Sequence, residues 1–216
     1  MNATTGTPDV PTSPASPASP ASPAPAERAA VIVGDDGVAR CSWSASDPEY
    51  RRYHDEEWGV PKHDPRALYE KLCLEGFQAG LSWITILRRR PAFREAFHGF
   101  EPSLVAAMTE ADVERLLHDA GIIRHRGKIE ATISNARATL ALETPLDELM
   151  WSFAPEPRAA HRPQSWGEIP AVTAESTALS KELRRRGFRF VGPTTMYALM
   201  QATGMVDDHF EGCFRA

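Results

Sequence analysis

The chain has 216 residues, a charged fraction of 25% and a formal net charge of -5. That balance excludes a surface that grips nucleic acid all over and leaves room for a local basic footprint. Three cysteines (Cys41, Cys73 and Cys213) are too few and too odd in number for a disulfide framework; they point to thiols or metal ligands in a reducing, cytoplasmic setting.

Residues 1–39 read as a tail and linker. Proline recurs at every third position from Pro8 to Pro23, with Ala, Ser and Thr between. Such a segment cannot bury enough apolar surface to offset its ordering entropy, so disorder with polyproline character is expected. No basic segment precedes an apolar run, so no signal peptide is expected. Val31 to Gly37 reads either as a short strand and turn or as more linker. The folded domain is assigned to residues 40–216.

From there nearly every segment reads as helix. Asp47-Pro48 opens one through His54, and Asp64-Pro65 opens the next, each with a capping side chain before a first-turn proline. Ser82 is placed to cap Trp83 to Arg90, and Pro91 to start a separate helix ending near His98-Gly99. Glu101-Pro102 opens a short turn through Met108. Thr109 with Asp112 forms a capping box for a helix that ends at Gly121. Gly127 to Leu142, Pro145 to Phe153, Glu175 to Arg186 and a helix from Pro193 to Gly204 complete the series. The longest uncharged stretch, Phe190 to Val206, has 17 residues and includes Gly, Pro, Thr and Gln; a membrane span needs about 20 mostly apolar residues, so a buried helix is expected. With no sustained period-two alternation, the fold class is all-α.

Within the second helix, Leu68, Leu72, Glu75 and Ala79 recur at the spacing of one face. Either Glu75 stands at the edge of that stripe in solvent, or it is buried and must be paired or hydrogen-bonded. Gly80 interrupts the helix and Trp83 follows. Trp43, Tyr50, Tyr53 and Trp58 lie nearby in sequence, as core aromatics or as a stacking pocket for a flat base. Cys41 and His54 open the domain and His209 and Cys213 close it, at i and i+4. They can supply two Cys and two His to a structural zinc ion, or be chance neighbours. Leu116 to Ile129 reads as helix, short glycine-flanked turn, helix. Free backbone N–H groups with Arg124, His125, Arg126 and Lys128 suit a phosphate, though an ordinary helical hairpin reads the same way. Arg88–Arg90 and Arg184–Arg186 read as solvated helix C-termini.

Taken together, Cys41-x-Trp43, Tyr50-x-x-Tyr53-His54-Asp-x-Glu-Trp58-Gly-Val-Pro, Leu74-Glu75-Gly-x-Gln78-Ala-Gly-Leu-Ser-Trp83, Asp119-Ala-Gly-Ile-Ile-Arg-His-Arg-Gly-Lys-Ile129 and Val206-x-Asp208-His209-x3-Cys213 resemble the DNA-3-methyladenine glycosylase I family. The resemblance runs from about Arg40 to Cys213. It implies a helix-hairpin-helix glycosylase fold whose two ends are tied by one zinc ion on Cys41, His54, His209 and Cys213. It implies excision of 3-methyladenine from double-stranded DNA by a monofunctional enzyme that leaves an abasic site; the size of the chain, rather than the resemblance, suits a monomer. Glu75 then matches the catalytic carboxylate, with Tyr50, Tyr53, Trp83 and Trp43 around the base. Gln78, Gly80 and Leu81 match the loop at the gap left by the extruded nucleotide, and Arg124 and Lys128 the phosphate anchor. Asp147 is set aside as a catalytic acid because its place after Pro145 suits a helix-dipole role.

Overall fold

The computed structural model describes residues 29–156 and 162–216. The expected tail, 1–28, lies outside the described residues. The fold is mostly helical, with a single two-stranded hairpin among the described residues. β1 (Val31–Val33) pairs antiparallel with β2 (Ala39–Cys41), Val31 opposite Cys41. The strand-and-turn alternative is therefore the one seen, and residues 29–39 join the fold rather than act as linker. Arg40 ties the hairpin to the first helix through Asp55, at 2.9 Å.

Nine helices follow among the described residues: α1 (Pro48–Glu56), α2 (Pro65–Gln78), α3 (Trp83–Ala96), α4 (Pro102–Ala106), α5 (Glu110–Leu117), α6 (Arg126–Leu140), α7 (Leu146–Trp151), α8 (Ala174–Arg185) and α9 (Pro193–Ala202). The Asp-Pro starts hold: Asp47 accepts from the Glu49 N–H and Asp64 from the Ala67 N–H. The capping box at Thr109 and Asp112 is also present. None of the described helices is long and apolar enough to cross a membrane.

α2 is the central element and packs against α3, α6, α7 and α9. Every residue from Leu68 to Phe77 except Glu70 is buried, so α2 is enclosed on all sides rather than along one stripe. Phe77, Phe93, Phe97 and Phe100 continue the core from α2 along α3, with ring centroids 4.6 to 6.5 Å apart.

Two expectations change here. Pro91 does not start a helix; it lies inside α3, which runs from Trp83 to Ala96. Its missing N–H costs one rung of the ladder, and the packing of Ile86, Leu87 and Phe93 in the core holds the helix through it. Arg88–Arg90 are therefore mid-helix, not terminal. Arg88 pairs with Asp47, Arg89 donates to the Ala120 carbonyl, and Arg90 forks onto Glu57. Ser82 stands at the N-cap position, but its hydroxyl bonds Thr85 Oγ1. The free N–H of Ile84 is taken instead by Tyr50 Oη, at 2.9 Å.

Candidate base pocket and chain-end cluster

A cavity of about 330 Å³ opens between α1, α2, the start of α3 and α9. That is the lower end of the range for small-molecule sites. Its wall brings together Trp43, Tyr50, Tyr53, Glu75, Gln78 and Trp83, with Trp58, Trp166 and Gln201 beside them. All five residues assigned to catalysis and base contact are thus in one place.

Glu75 is buried, with 4% of its surface exposed. Its partner is Lys71, one turn earlier on α2, with Nζ 2.9 Å from Oε1. Lys71 also donates to Tyr53 Oη at 2.8 Å and lies over the Trp83 ring, 3.4 Å from its centroid. Burial lowers the Lys71 pKa from the ordinary lysine value, and the Glu75 charge works against that shift. Burial, then the charges of Glu75 and Glu57, hold the Tyr53 phenol well above its usual range. Trp83 Nε1 is buried without a hydrogen-bond partner among the described residues. The cavity thus combines stacking faces with one carboxylate acceptor.

The second assembly lies at the chain ends. The ligand atoms of Cys41, His54 and Cys213 all lie within 4.8 Å of one another, and all three residues are buried. His54 Nδ1 is held by Asp55 at 2.8 Å, which turns Nε2 toward Cys213 Sγ, 3.4 Å away. His209 is outside that 4.8 Å group but stands beside it, its ring centroid 5.2 Å from that of His54. Its Nδ1 is held by Asp207 at 2.7 Å, and its buried Nε2 has no partner among the described residues. The hydrogen bond from the Cys41 thiol and that from His54 favour ionisation of Cys213, and the contact with Cys213 together with burial pushes Cys41 upward. Gly59 is obligatory behind the cluster: its φ is +75°, and a Cβ there would lie 2.6 Å from His209 Cε1. The cluster and the cavity share aromatic walls, since Trp43 packs edge-on to His54 and Trp58 to His209.

The helical hairpin runs from α5 to α6. His125 is the N-cap of α6 and accepts from the Lys128 N–H at 3.2 Å. The N–H groups of Arg126 and Gly127 find no acceptor among the described residues, as expected of a helix start. The cations behave differently from one another. Arg124 is exposed and unpaired among the described residues. Arg126 is paired with Glu110 and Glu114. Lys128 is buried and turned inward, its Nζ donating to the carbonyls of Phe77 at 2.8 Å and Ala79 at 2.7 Å. It closes the C-terminus of α2, where cations suit the dipole. It thereby fixes the turn at Gly80, with φ +84°, that presents the exposed Leu81.

The model for the family described as methyladenine glycosylase matches residues 43–216. DNA-3-methyladenine glycosylase 1 of Escherichia coli (strain K12) is 54% identical over 179 residues, covering 82% of this chain and 96% of that one. The chain belongs to the methyladenine glycosylase family. A crystal structure of a 3-methyladenine DNA glycosylase I superposes with a TM-score of 0.79 at 54% identity, covering 81% of this chain and 98% of that chain. A Staphylococcus aureus 3-methyladenine DNA glycosylase I, whose structure concerns 3-methyladenine recognition, gives 0.75 at 36% identity over 81% and 95% of the two chains.

Within this glycosylase fold the sequence reading missed Lys71. Its signal was present, since it precedes Glu75 by four residues on one helix. Trp166 and Gln201 carried no local signal and reach the cavity only through the tertiary fold. Asp147 stands in the first turn of α7 with Oδ1 buried and without a partner among the described residues; it is not part of the cavity wall.

Proposed function

We propose that this enzyme hydrolyses the N-glycosidic bond of 3-methyladenine in alkylated double-stranded DNA. The observation that carries the reading is the buried carboxylate of Glu75 in the wall of an aromatic cavity of about 330 Å³. A base inside a duplex cannot reach such a cavity, so the nucleotide is flipped out of the stack. Methylation at N3 makes adenine cationic and a good leaving group. The C1′–N9 bond breaks, its electron pair neutralises the base, and water supplies hydroxyl to C1′ and a proton to solvent. An abasic site remains, with no strand cleavage. Glu75 accepts a hydrogen bond from the base edge and stabilises positive charge, and Trp83 and the tyrosines stack.

Leu81 on its fixed turn fills the gap in the duplex, with Gln78 and Gly80 beside it. The α6 N-terminus holds a backbone phosphate, as in a helix-hairpin-helix. In that anchor Arg124 supplies the side-chain charge; Lys128 acts from inside by holding the turn. Cys41, His54, His209 and Cys213 would hold one structural zinc ion. Support for this lies in the orphan Nε2 of His209 and in the two carboxylates that fix both imidazole tautomers. When bound, the ion supplies a closed tetrahedral link between the chain ends. The enzyme works as a cytoplasmic monomer.

The test is release of free base from methylated duplex DNA by wild type beside Glu75→Ala, with zinc measured in both. Release by wild type, lost in a variant that keeps its zinc, is the expected result. No release by folded, zinc-loaded wild type overturns the proposal.

A further inference from the structure

The connection between α8 and α9 carries a tip that takes no part in the base cavity. Phe188 and Val191 are buried, and between them Arg189 and Phe190 are exposed. Phe190 is 36% exposed and has a φ of +56°. A bulky residue in the left-handed region is strained, and such strain persists only where the surroundings impose it. Here two neighbours do. Buried Asn135 on α6 clamps Arg189 from both sides, its Oδ1 accepting the N–H at 2.8 Å and its Nδ2 donating to the carbonyl at 3.1 Å. Ser180 on α8 donates to the Val191 carbonyl at 2.5 Å. The other non-glycine residues with positive φ among the described residues, His98 and Phe100, form one turn that seats Phe100 in the core. At Phe190 the same strain holds a ring out in solvent.

The ring is held at a particular place. α2 passes beneath it through Gly76, where a Cβ would lie 3.3 Å from that of Phe190. Its far end reaches the first turn of α6: Cζ is 3.8 Å from where a Cβ on Gly127 would stand, and the ring is edge-on to His125 at 6.2 Å. It thus flanks the turn that carries the free N–H groups of Arg126 and Gly127. Arg189 beside it has Glu130 as its carboxylate neighbour, at 3.9 Å, with half of its side chain in solvent.

We infer that the Arg189–Phe190 tip is a further contact with the DNA backbone, Phe190 against a deoxyribose and Arg189 on a neighbouring phosphate. This rests on the glycosylase reading above and is separate from the base cavity. A DNA strand alternates phosphates with apolar sugar edges. With one phosphate on the α6 N–H groups, the adjoining sugar comes within reach of a ring that flanks the same turn. Both contacts position the strand and read no sequence. The Asn135 clamp sets the ring in place before DNA arrives, so binding does not have to order it.

The experiment measures binding of the full chain, over a salt series, to a duplex that carries a tetrahydrofuran abasic-site analogue. Phe190→Asn keeps a Cβ over Gly76 and tolerates the left-handed region. It is expected to keep Tm near wild type, weaken binding about tenfold and leave the salt slope unchanged. Phe190→Tyr, which keeps the ring, is expected to hold wild-type affinity. Arg189→Ala is expected to lower the salt slope by about one. A ring that only packs would lower Tm and leave the affinity of the folded variant unmoved, and that outcome overturns the inference. An unmoved slope in Arg189→Ala also overturns it, so it stays testable if Phe190→Asn fails to fold. In either case base release by wild type leaves the glycosylase reading standing. A wild type that neither binds the duplex nor releases base overturns both.

Discussion

The base cavity and the chain-end cluster share the tryptophans Trp43 and Trp58, yet they are built on opposite plans. At the chain ends, three ligand atoms converge within 4.8 Å, with carboxylates behind both imidazoles. In the cavity the polar groups are spread around about 330 Å³ between flat ring faces. Convergence on a point suits an ion, and dispersion around a slot suits a planar molecule. Burial alone does not separate the two, because Glu75 and His209 are both almost fully buried. What separates them is where the polar atoms face.

Four changes break or sharpen that contrast. Cys213→Ser should have the largest effect: with zinc bound in wild type, loss of a ligand removes several kcal/mol of folding free energy. Calorimetry with and without chelator should show a large fall in Tm in wild type and little further change in the variant. Glu75→Gln should leave zinc content near wild type, lower Tm because buried Lys71 loses its counter-charge, and lower single-turnover base release by about 10- to 100-fold, the loss of one charge-assisted hydrogen bond. Equal activity would remove Glu75 from the pocket chemistry. Lys128→Met touches neither site directly but frees the carbonyls of Phe77 and Ala79. Denaturant unfolding should show a loss of about 2 kcal/mol, since the lost hydrogen bonds exceed the relief of burying a charge. Duplex binding should weaken as the turn bearing Leu81 loosens. Smallest is Arg124→Ala, which should leave stability and chemistry alone and reduce the salt slope of DNA binding by about one.

Much of this was legible from local chemistry. The Asp-Pro helix starts, the capping box at Thr109 and the aromatic set near Glu75 follow from short-range rules that the structure keeps. Other features depended on tertiary contact. Pro91 is a helix start by local rule, but a buried face of α3 on both sides of it carried the helix through. The α2 stripe suggested one buried face, whereas neighbours on every side enclosed the helix and took Lys71 in with Glu75. Lys128 shows the same limit: a basic residue in a helical hairpin reads as a phosphate ligand until its ammonium is found on two carbonyls of another helix. His209 stands beside the other chain-end ligands, as its spacing to Cys213 suggested, although only three ligand atoms close within 4.8 Å.

The hairpin and the C-terminal segment also meet outside the cluster, where the Phe214 N–H donates to the Ala39 carbonyl at 2.9 Å. Pull the folded chain by its two ends, and tension enters at β1, whose paired strand β2 is already in contact with Phe214. The load crosses that seam directly and bypasses α2 and the cavity. Rupture therefore begins in the hairpin and the seam behind it, and its threshold in an optical trap reports how firmly the hairpin is joined to the C-terminal segment.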